Sequence, residues 1–224
     1  MLKTDYHCHI LPGIDDGAQT LDEAVALAGK LVEWGFGRAV CTSHIAYRYR
    51  NTSQSVGRAC DLLGRALRER GIALELVPSA EYRLLPETWE QVVRNGWFMP
   101  WDEKYILMEL PIRAREQLGG LEPVREIERV QALGFVPVIA HPERYAYLSF
   151  AELQDFCSRG ALLQVNYPSL CGKYGEETRQ RAQTLCEGGY ASFYGTDLHS
   201  AEYVPWLDGY FRRSVSLMQA GSGV

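Results

Sequence analysis

Seven times along the 224 residues a short β-branched or apolar run gives way to a longer amphipathic stretch, and this rhythm constrains the fold more than any other feature. Such alternation builds parallel strands joined by crossover helices. The runs place strands at 3–7, 38–43, 74–80, 105–110, 136–140, 161–165 and 191–196, with helices in the gaps. Thr20 with Glu23, and Ser149 with Glu152, each fit a capping box at a helix start, and Pro123 sits where a first turn needs no amide donor. Gly35, Gly71, Gly134, Gly160 and Gly188 fall where helices should stop, because the terminating residue takes a left-handed conformation that glycine tolerates. With no linker and no internal repeat, the even spacing argues a single domain over residues 1–224, an α/β chain closed or nearly closed into a barrel.

Composition removes several classes of function. No apolar run approaches the roughly 20 residues that span a bilayer, and the chain opens directly into Lys3-Thr4-Asp5-Tyr6-His7 without a signal-peptide core, so a cytoplasmic protein without membrane insertion is expected. A formal charge of -5 without a basic block gives no broad nucleic-acid surface, although a few local cations and metals can still hold a small acidic substrate. The six cysteines are scattered without a C-x-x-C pair, as reduced thiols are, and none has an arginine at the C-x5-R spacing of thiol-based phosphatases.

All five histidines lie at or just past the C-terminal end of an expected strand: His7 and His9 after the first, His44 the second, His141 the fifth and His199 the seventh. In a barrel those ends converge on one face. Carboxylates occupy similar positions, with Glu81 after the third strand, Glu109 ending the fourth, Asp197 closing the seventh and an aspartate in the loop after the first. A lone histidine is usually a core or surface residue, but five of five on one rim do not fall there by accident. For the loop aspartate the residues leave Asp15 and Asp16 equally placed. Imidazole and carboxylate together suit zinc, manganese or iron, and a set of this size fits two to three divalent ions better than one. Alternate strand residues point the same way, so His7 and His9 can reach one ion while Cys8 faces the opposite side as a packing residue. Asp5 shares the inward parity and is expected to orient a ligand rather than to be one.

The segment Asp5-Tyr6-His7-Cys8-His9-Ile10-Leu11-Pro12-Gly13-Ile14-Asp15-Asp16-Gly17 resembles the first motif of the bacterial protein-tyrosine phosphatases of the PHP superfamily, the metal-dependent CpsB/YwqE type of capsule and exopolysaccharide operons. Thr42-Ser43-His44, Ser79-Ala80-Glu81-Tyr82-Arg83, Met108-Glu109-Leu110-Pro111, Pro137-Val138-Ile139-Ala140-His141-Pro142-Glu143-Arg144-Tyr145 and Gly195-Thr196-Asp197-Leu198-His199-Ser200 match in order, so the likeness runs from about residue 3 to 200. The resemblance implies a distorted seven-stranded TIM-like barrel, the PHP fold, with a trinuclear site. His7, His9, Glu81 and Asp197 would hold one metal, Glu81, Glu109 and His141 a second, and Asp16, His44 and His199 a third. It thus favours Asp16 over Asp15 and makes Glu81 a bridge. It also implies a phosphotyrosine protein as partner, the autokinase of polysaccharide export. Two departures stand out: relatives carry an arginine shortly after the Asp-x-His motif where this chain has Ala201-Glu202-Tyr203-Val204-Pro205, and the chain stops at Val224, short of the usual C-terminal Asn-Pro region.

Such a centre activates water for in-line attack on phosphorus while Arg144 clamps the phosphoryl oxygens. His199 is the candidate acid if the leaving group needs one, although a phenolate, with a solution pKa of about 10, needs little help. A shallow pocket is expected, since the peptide has to stay outside the barrel rim. Tyr47, Arg48, Tyr49 and Arg50, in the loop after His44, are a weak hint of a phosphotyrosine-facing rim. A PHP phosphatase for a small metabolite such as histidinol phosphate would carry the same metal site. An amidohydrolase would want a lysine and more histidines where this chain has Glu109 and Asn166. A non-catalytic, metal-stabilised module that binds a kinase would have little reason to keep the whole ligand set.

Overall fold

The computed structural model describes residues 3–46 and 48–220, the side chains of 213–220 excepted. Tyr47 and the stretch 221–224 lie outside the described residues. The elements are β1 (Lys3–Cys8), α1 (Leu21–Glu33), β2 (Phe36–Ile45), α2 (Ser53–Glu69), β3 (Glu75–Arg83), α3 (Pro86–Asn95), β4 (Tyr105–Glu109), α4 (Pro123–Ala132), β5 (Val136–Ala140), α5 (Phe150–Ser158), β6 (Leu162–Asn166), α6 (Tyr167–Leu170), α7 (Glu176–Glu187), β7 (Ala191–Gly195) and α8 (Val204–Ala220). All seven strands pair in parallel in chain order, β1 to β7.

The sheet curls until its edges meet. Asp197 N donates to His7 O at 2.7 Å and His9 N to Leu198 O at 3.1 Å, which joins β1 to the chain leaving β7. Asp5 accepts from both the amide (2.8 Å) and the hydroxyl (2.6 Å) of Thr196 across the same seam. Asp5 also accepts from the His7 amide at 3.3 Å, so it holds the backbone beside His7 and Asp197 rather than an imidazole, and it latches the barrel shut. Wholly buried, its carboxyl is pushed up to about 6 by desolvation, and the Thr196 bonds limit the rise.

Strand alternation explains the layering. Ile106, Met108, Ile139, Leu163 and Val165 face outward into a core shared with the helices. Val40, Leu107, Val138 and Ala140 face inward and pack with Trp101, Val77, Leu162 and Phe193 as a plug beneath the strand C-termini. Each fully buried aliphatic side chain contributes about 1.5–3 kcal/mol.

Both expected capping boxes form and Pro123 opens α4. A third box, Thr52 with Ser55, opens α2; serine replaces the usual glutamate at its third position, so the sequence pattern missed it. Gly35, Gly71, Gly134 and Gly160 take the left-handed conformation, but Gly188 does not. Gly188 stays helical at φ -75°, and the left-handed turn falls on Gly189 at φ +73°. β2 and β3 run longer than their apolar cores because their pairing continues through His44 opposite Glu81, so both residues lie inside strands rather than past their ends.

Candidate metal centre

At the C-terminal mouth of the barrel, His7, His9, Asp16, His44, Glu81, Glu109, His141, Asp197 and His199 all come together. Ligand atoms lie within 4.8 Å of one another in four groups: His9, Asp16, His44 and His199; His7, His9 and Asp197; His7, Glu81 and His141; and His44, Glu81 and Glu109. The third set implied by the resemblance is whole, with His9 added. His141 stands with His7 and Glu81, while Glu109 stands with His44 and Glu81.

Glu81 is the hub. Its Oε2 lies 3.3 Å from Nε2 of His7 and of His9 and 3.1 Å from His44 Nδ1, and its Oε1 lies 3.1 Å from His141 Nε2. Asp16 is the opposite extreme, with a side chain 52% exposed and Oδ1 3.5 Å from Nε2 of both His44 and His199. Its neighbour Asp15 is turned away from this cluster. Asp15 is buried, with Oδ2 3.0 Å from His9 Nδ1 and accepting from the His44 amide at 3.1 Å, and with Oδ1 accepting from the Gly17 amide. Position 17 has to be glycine for this approach, because a Cβ there would sit 1.8 Å from His9 O.

The ring orientations are fixed from behind. Gln164 Oε1 lies 2.8 Å from His7 Nδ1 and accepts from it, so Nε2 is the nitrogen turned into the site. Gln164 Nε2 donates to Asn166 Oδ1 at 2.9 Å, and Asn166 Nδ2 donates to Asp197 Oδ2 at 2.8 Å, so β6 supports ligands on both β1 and β7. His199 Nδ1 donates to Asp197 O at 2.8 Å, leaving its Nε2 toward Asp16. Sequence reasoning gave Gln164 no role and weighed Asn166 only as a missing histidine; the signal was two amides at the inward parity of an otherwise apolar strand. Two strand ends also take the left-handed region, His141 at φ +32° and Asp197 at φ +49°, an uncommon conformation for non-glycine residues. Gly195 leaves room for the His7 ring, since a Cβ there would meet His7 Cβ at 2.4 Å.

The electrostatics describe a place built for cations. Burial opposes ionisation of Glu81 and Asp197, yet the facing imidazoles, His7 foremost, hold both below the usual carboxylate range. Burial would lower His7, but Glu81 and Asp197 outweigh it and raise it to about 9. Burial, then the charge of Glu81, pushes Glu109 up to about 8, while burial takes His44 down to about 4 against the pull of Glu81. Among the described residues Glu109 Oε2, His44 Nδ1 and His141 Nδ1 are buried without a well-aligned hydrogen bond, although Glu109 Oε2 faces Arg83 and His44 Nδ1 faces Glu81. A buried oxygen and nitrogen donor set whose hydrogen bonding is incomplete fits a hard or borderline divalent cation.

Two guanidiniums stand over the same cleft, which measures about 340 Å³. Arg144 Nη1 lies 3.2 Å from Asp197 Oδ2, with its guanidinium 4.2 Å from the centre of the Tyr174 ring. Arg83 Nε lies 3.0 Å from Glu109 Oε2. Sequence reasoning quoted Arg83 within a motif and gave it no role. In the loop after β2, Tyr49 stacks on His44 at 5.8 Å between ring centres, with Arg48 over its face. The six cysteines are free, and Cys8 packs in the outer core, away from the centre.

A parallel barrel that gathers imidazoles, carboxylates and two arginines at its strand C-termini defines an α/β-barrel protein with a candidate metal centre for an anionic substrate. Within that class the chain belongs to the family described as capsular polysaccharide synthesis, CpsB/CapC, whose profile matches residues 3–207. It is 31% identical over 205 residues to the tyrosine-protein phosphatase YwqE of Bacillus subtilis strain 168, covering 88% of this chain and 78% of that protein. It is 26% identical over 206 residues to the putative tyrosine-protein phosphatase CapC of Staphylococcus aureus, covering 91% and 79%. The solved structure reported for YwqE from Bacillus subtilis and CpsB from Streptococcus pneumoniae, described as unique metal-dependent tyrosine phosphatases, superposes with a TM-score of 0.80 at 29% identity, over 90% of this chain and 81% of that one. Histidinol phosphate phosphatase from Lactococcus lactis shares the fold, with a TM-score of 0.55 at 12% identity over 94% and 93% of the two chains.

Proposed function

We propose that this chain is a metal-dependent protein-tyrosine phosphatase, one catalytic domain acting in the cytoplasm on a phosphotyrosine protein, in the first instance a bacterial tyrosine kinase of capsule or exopolysaccharide export. The observation that carries the reading is the joint placement of Glu81, ringed by four imidazoles, and two arginines over one cleft. Among the described residues no helix is long and apolar enough to cross a membrane, in keeping with that location.

We assign two to three divalent ions, manganese, iron or zinc, to His7, His9, Glu81, Glu109, His141 and Asp197 and, at the open edge, to Asp16, His44 and His199. When bound, such ions lower the pKa of water and neutralise charge on phosphoryl oxygens. The chain's own groups do the rest. Arg144, held by Asp197 and Tyr174, presents its remaining N–H groups to the phosphoryl oxygens. Arg83 is the second cation of the cleft and takes the part of the arginine missing after His199. Because the His199 Nδ1 proton is engaged with Asp197 O, Nε2 is its one free nitrogen, and the neighbouring Asp16 and His44 favour ligation there over proton donation. The phenolate then leaves with little help, as its modest basicity permits. Asp16 at the exposed edge lets a ring-borne phosphate enter while the peptide remains outside.

The test is turnover of a phosphotyrosine peptide, a phosphoserine peptide and histidinol phosphate by manganese-loaded protein, with metal content measured in parallel. Hydrolysis of the phosphotyrosine peptide well ahead of the others is expected. A far higher kcat/KM for histidinol phosphate would keep the metal site and discard the tyrosine-phosphatase reading.

A further inference from the structure

Beside the metal cleft, and sharing Arg83, Ile112 and Arg144 with it, lies a second pocket of about 470 Å³. Its floor is apolar, from Leu85, Pro111 and Ile112, and its rim carries three guanidiniums, those of Arg83, Arg113 and Arg144. Among the described residues no carboxylate lines it, in a chain whose formal charge is -5. Arg83 and Arg144 each face one buried carboxylate behind them, Glu109 and Asp197, whereas exposed Arg113 has no ion-pair partner among the described residues. A pocket on the other flank of the cleft, about 390 Å³, has the opposite character: Asp16, Glu23 and Glu202 line it, without lysine or arginine. The cleft is therefore polarised, basic on one side and acidic on the other. Guanidinium forks match carboxylate and phosphate oxygens, and like charges on the far flank repel them.

We propose that the Arg83–Arg113–Arg144 pocket is an anion subsite that reads the residue beside the phosphotyrosine, selecting substrates with an acidic group on one side of the scissile phosphate and disfavouring one on the other. The inference rests on the phosphotyrosine reading above and adds a direction to it. The anionic group is the carboxylate of an aspartate or glutamate or the phosphate of a second phosphorylated residue. Arg113 supplies selectivity without reaching the reacting phosphate, while Arg83 and Arg144 face both spaces.

The experiment compares kcat/KM for phosphotyrosine peptides that carry Glu, a second phosphotyrosine, Ala or Lys either before or after the target residue, with p-nitrophenyl phosphate as an aryl ester that has no neighbour. Manganese-loaded wild-type protein should favour an anionic neighbour at least tenfold over Ala on one side only. The glutamate and second-phosphate peptides tell the two sources apart. Arg113→Glu should lower the acidic-peptide value at least tenfold more than the p-nitrophenyl phosphate value, and should turn the preference toward Lys at the same position. Equal rates whatever the neighbour, or a parallel loss on peptide and p-nitrophenyl phosphate in Arg113→Glu, would overturn the subsite. If the protein releases phosphate from none of these esters, the phosphatase reading fails instead. Fluorescence anisotropy with labelled phosphonomethyl-phenylalanine peptides, flanked by Glu or by Lys, then decides the subsite without turnover: tighter binding of the Glu peptide, lost in Arg113→Glu, supports it, and equal binding sinks it.

Discussion

Replacing Gln164 by leucine tests the claim that the centre is held from behind. Gln164 is wholly buried, and its Oε1, 2.8 Å from His7 Nδ1, is that nitrogen's acceptor. Leucine has a similar volume and no acceptor. The variant therefore leaves a buried imidazole N–H unsatisfied, at a cost of about 1–3 kcal/mol in the metal-free protein, and strands Asn166 Oδ1 without its donor. It also removes the acceptor that keeps a proton on Nδ1 once His7 gives up its other proton for a metal. Loss of such a supporting group weakens metal binding roughly 10- to 100-fold, or about 1.4–2.7 kcal/mol at 1.36 kcal/mol per decade. Gln164→Glu loses the donor to Asn166 as leucine does but keeps the acceptor for His7, and should retain affinity within a few-fold. Competition against a chromophoric chelator measures the affinity, and urea unfolding of the stripped protein measures the stability. A folded leucine variant that binds manganese as tightly as wild type would refute the orienting role of Gln164.

Gly195→Ala should fold with a loss of about 1–3 kcal/mol, because its new methyl meets His7 Cβ at 2.4 Å, and should bind less metal by elemental analysis; unchanged metal content would mean that the ring placement tolerates displacement. Arg83→Ala and Arg144→Ala should each lower kcat/KM on aryl phosphates of different size by similar factors, since both are assigned to the shared phosphate; a loss confined to large substrates would move them to the peptide instead. Alkylation of the thiols should leave most activity, because burial raises Cys8 and Cys60 above the ordinary thiol range and neither faces the cleft; inactivation by iodoacetamide would point to a thiol mechanism. Metal loading near neutral pH should release protons, because the ligand atoms have to be deprotonated to bind; calorimetry in buffers of different ionisation enthalpy reads the number, and zero release would contradict a site that holds protons before the metal enters.

All seven strands and the barrel were legible because apolar periodicity is a local signal; strand parity carried His7 and His9, and the other candidate ligands followed from their places at the strand C-termini or, for Asp16, from the resemblance. The resemblance placed Asp16 rather than Asp15 in the site, and the structure gives the physical reason: Asp15 is consumed by His9 and by the His44 and Gly17 amides, leaving Asp16 at the mouth. What stayed hidden depends on contacts between distant segments. Asp5 shares the parity of His7, yet its side-chain partner is Thr196, 191 residues away, so parity alone showed that it faces the site's supports but not that it closes the seam. Gln164 and Arg83 show the same limit. An amide or a guanidinium on an inward face acquires its role only from what the neighbouring strand brings opposite, and no single-strand pattern carries that information.

The most direct measurement is the rate of phosphate release from a phosphotyrosine peptide by chelator-stripped Glu81→Ala and wild-type protein, each titrated with manganese. Wild type should be inactive when stripped and should recover activity as two to three ions bind per chain. Glu81→Ala, with an unchanged far-ultraviolet circular dichroism spectrum, should remain at background throughout, because among the described residues Glu81 is the one side chain that faces His7, His9, His44 and His141 together. Near-wild-type turnover in the Glu81 variant, or full activity in stripped wild-type protein, would contradict a metal-dependent phosphatase centred on that residue.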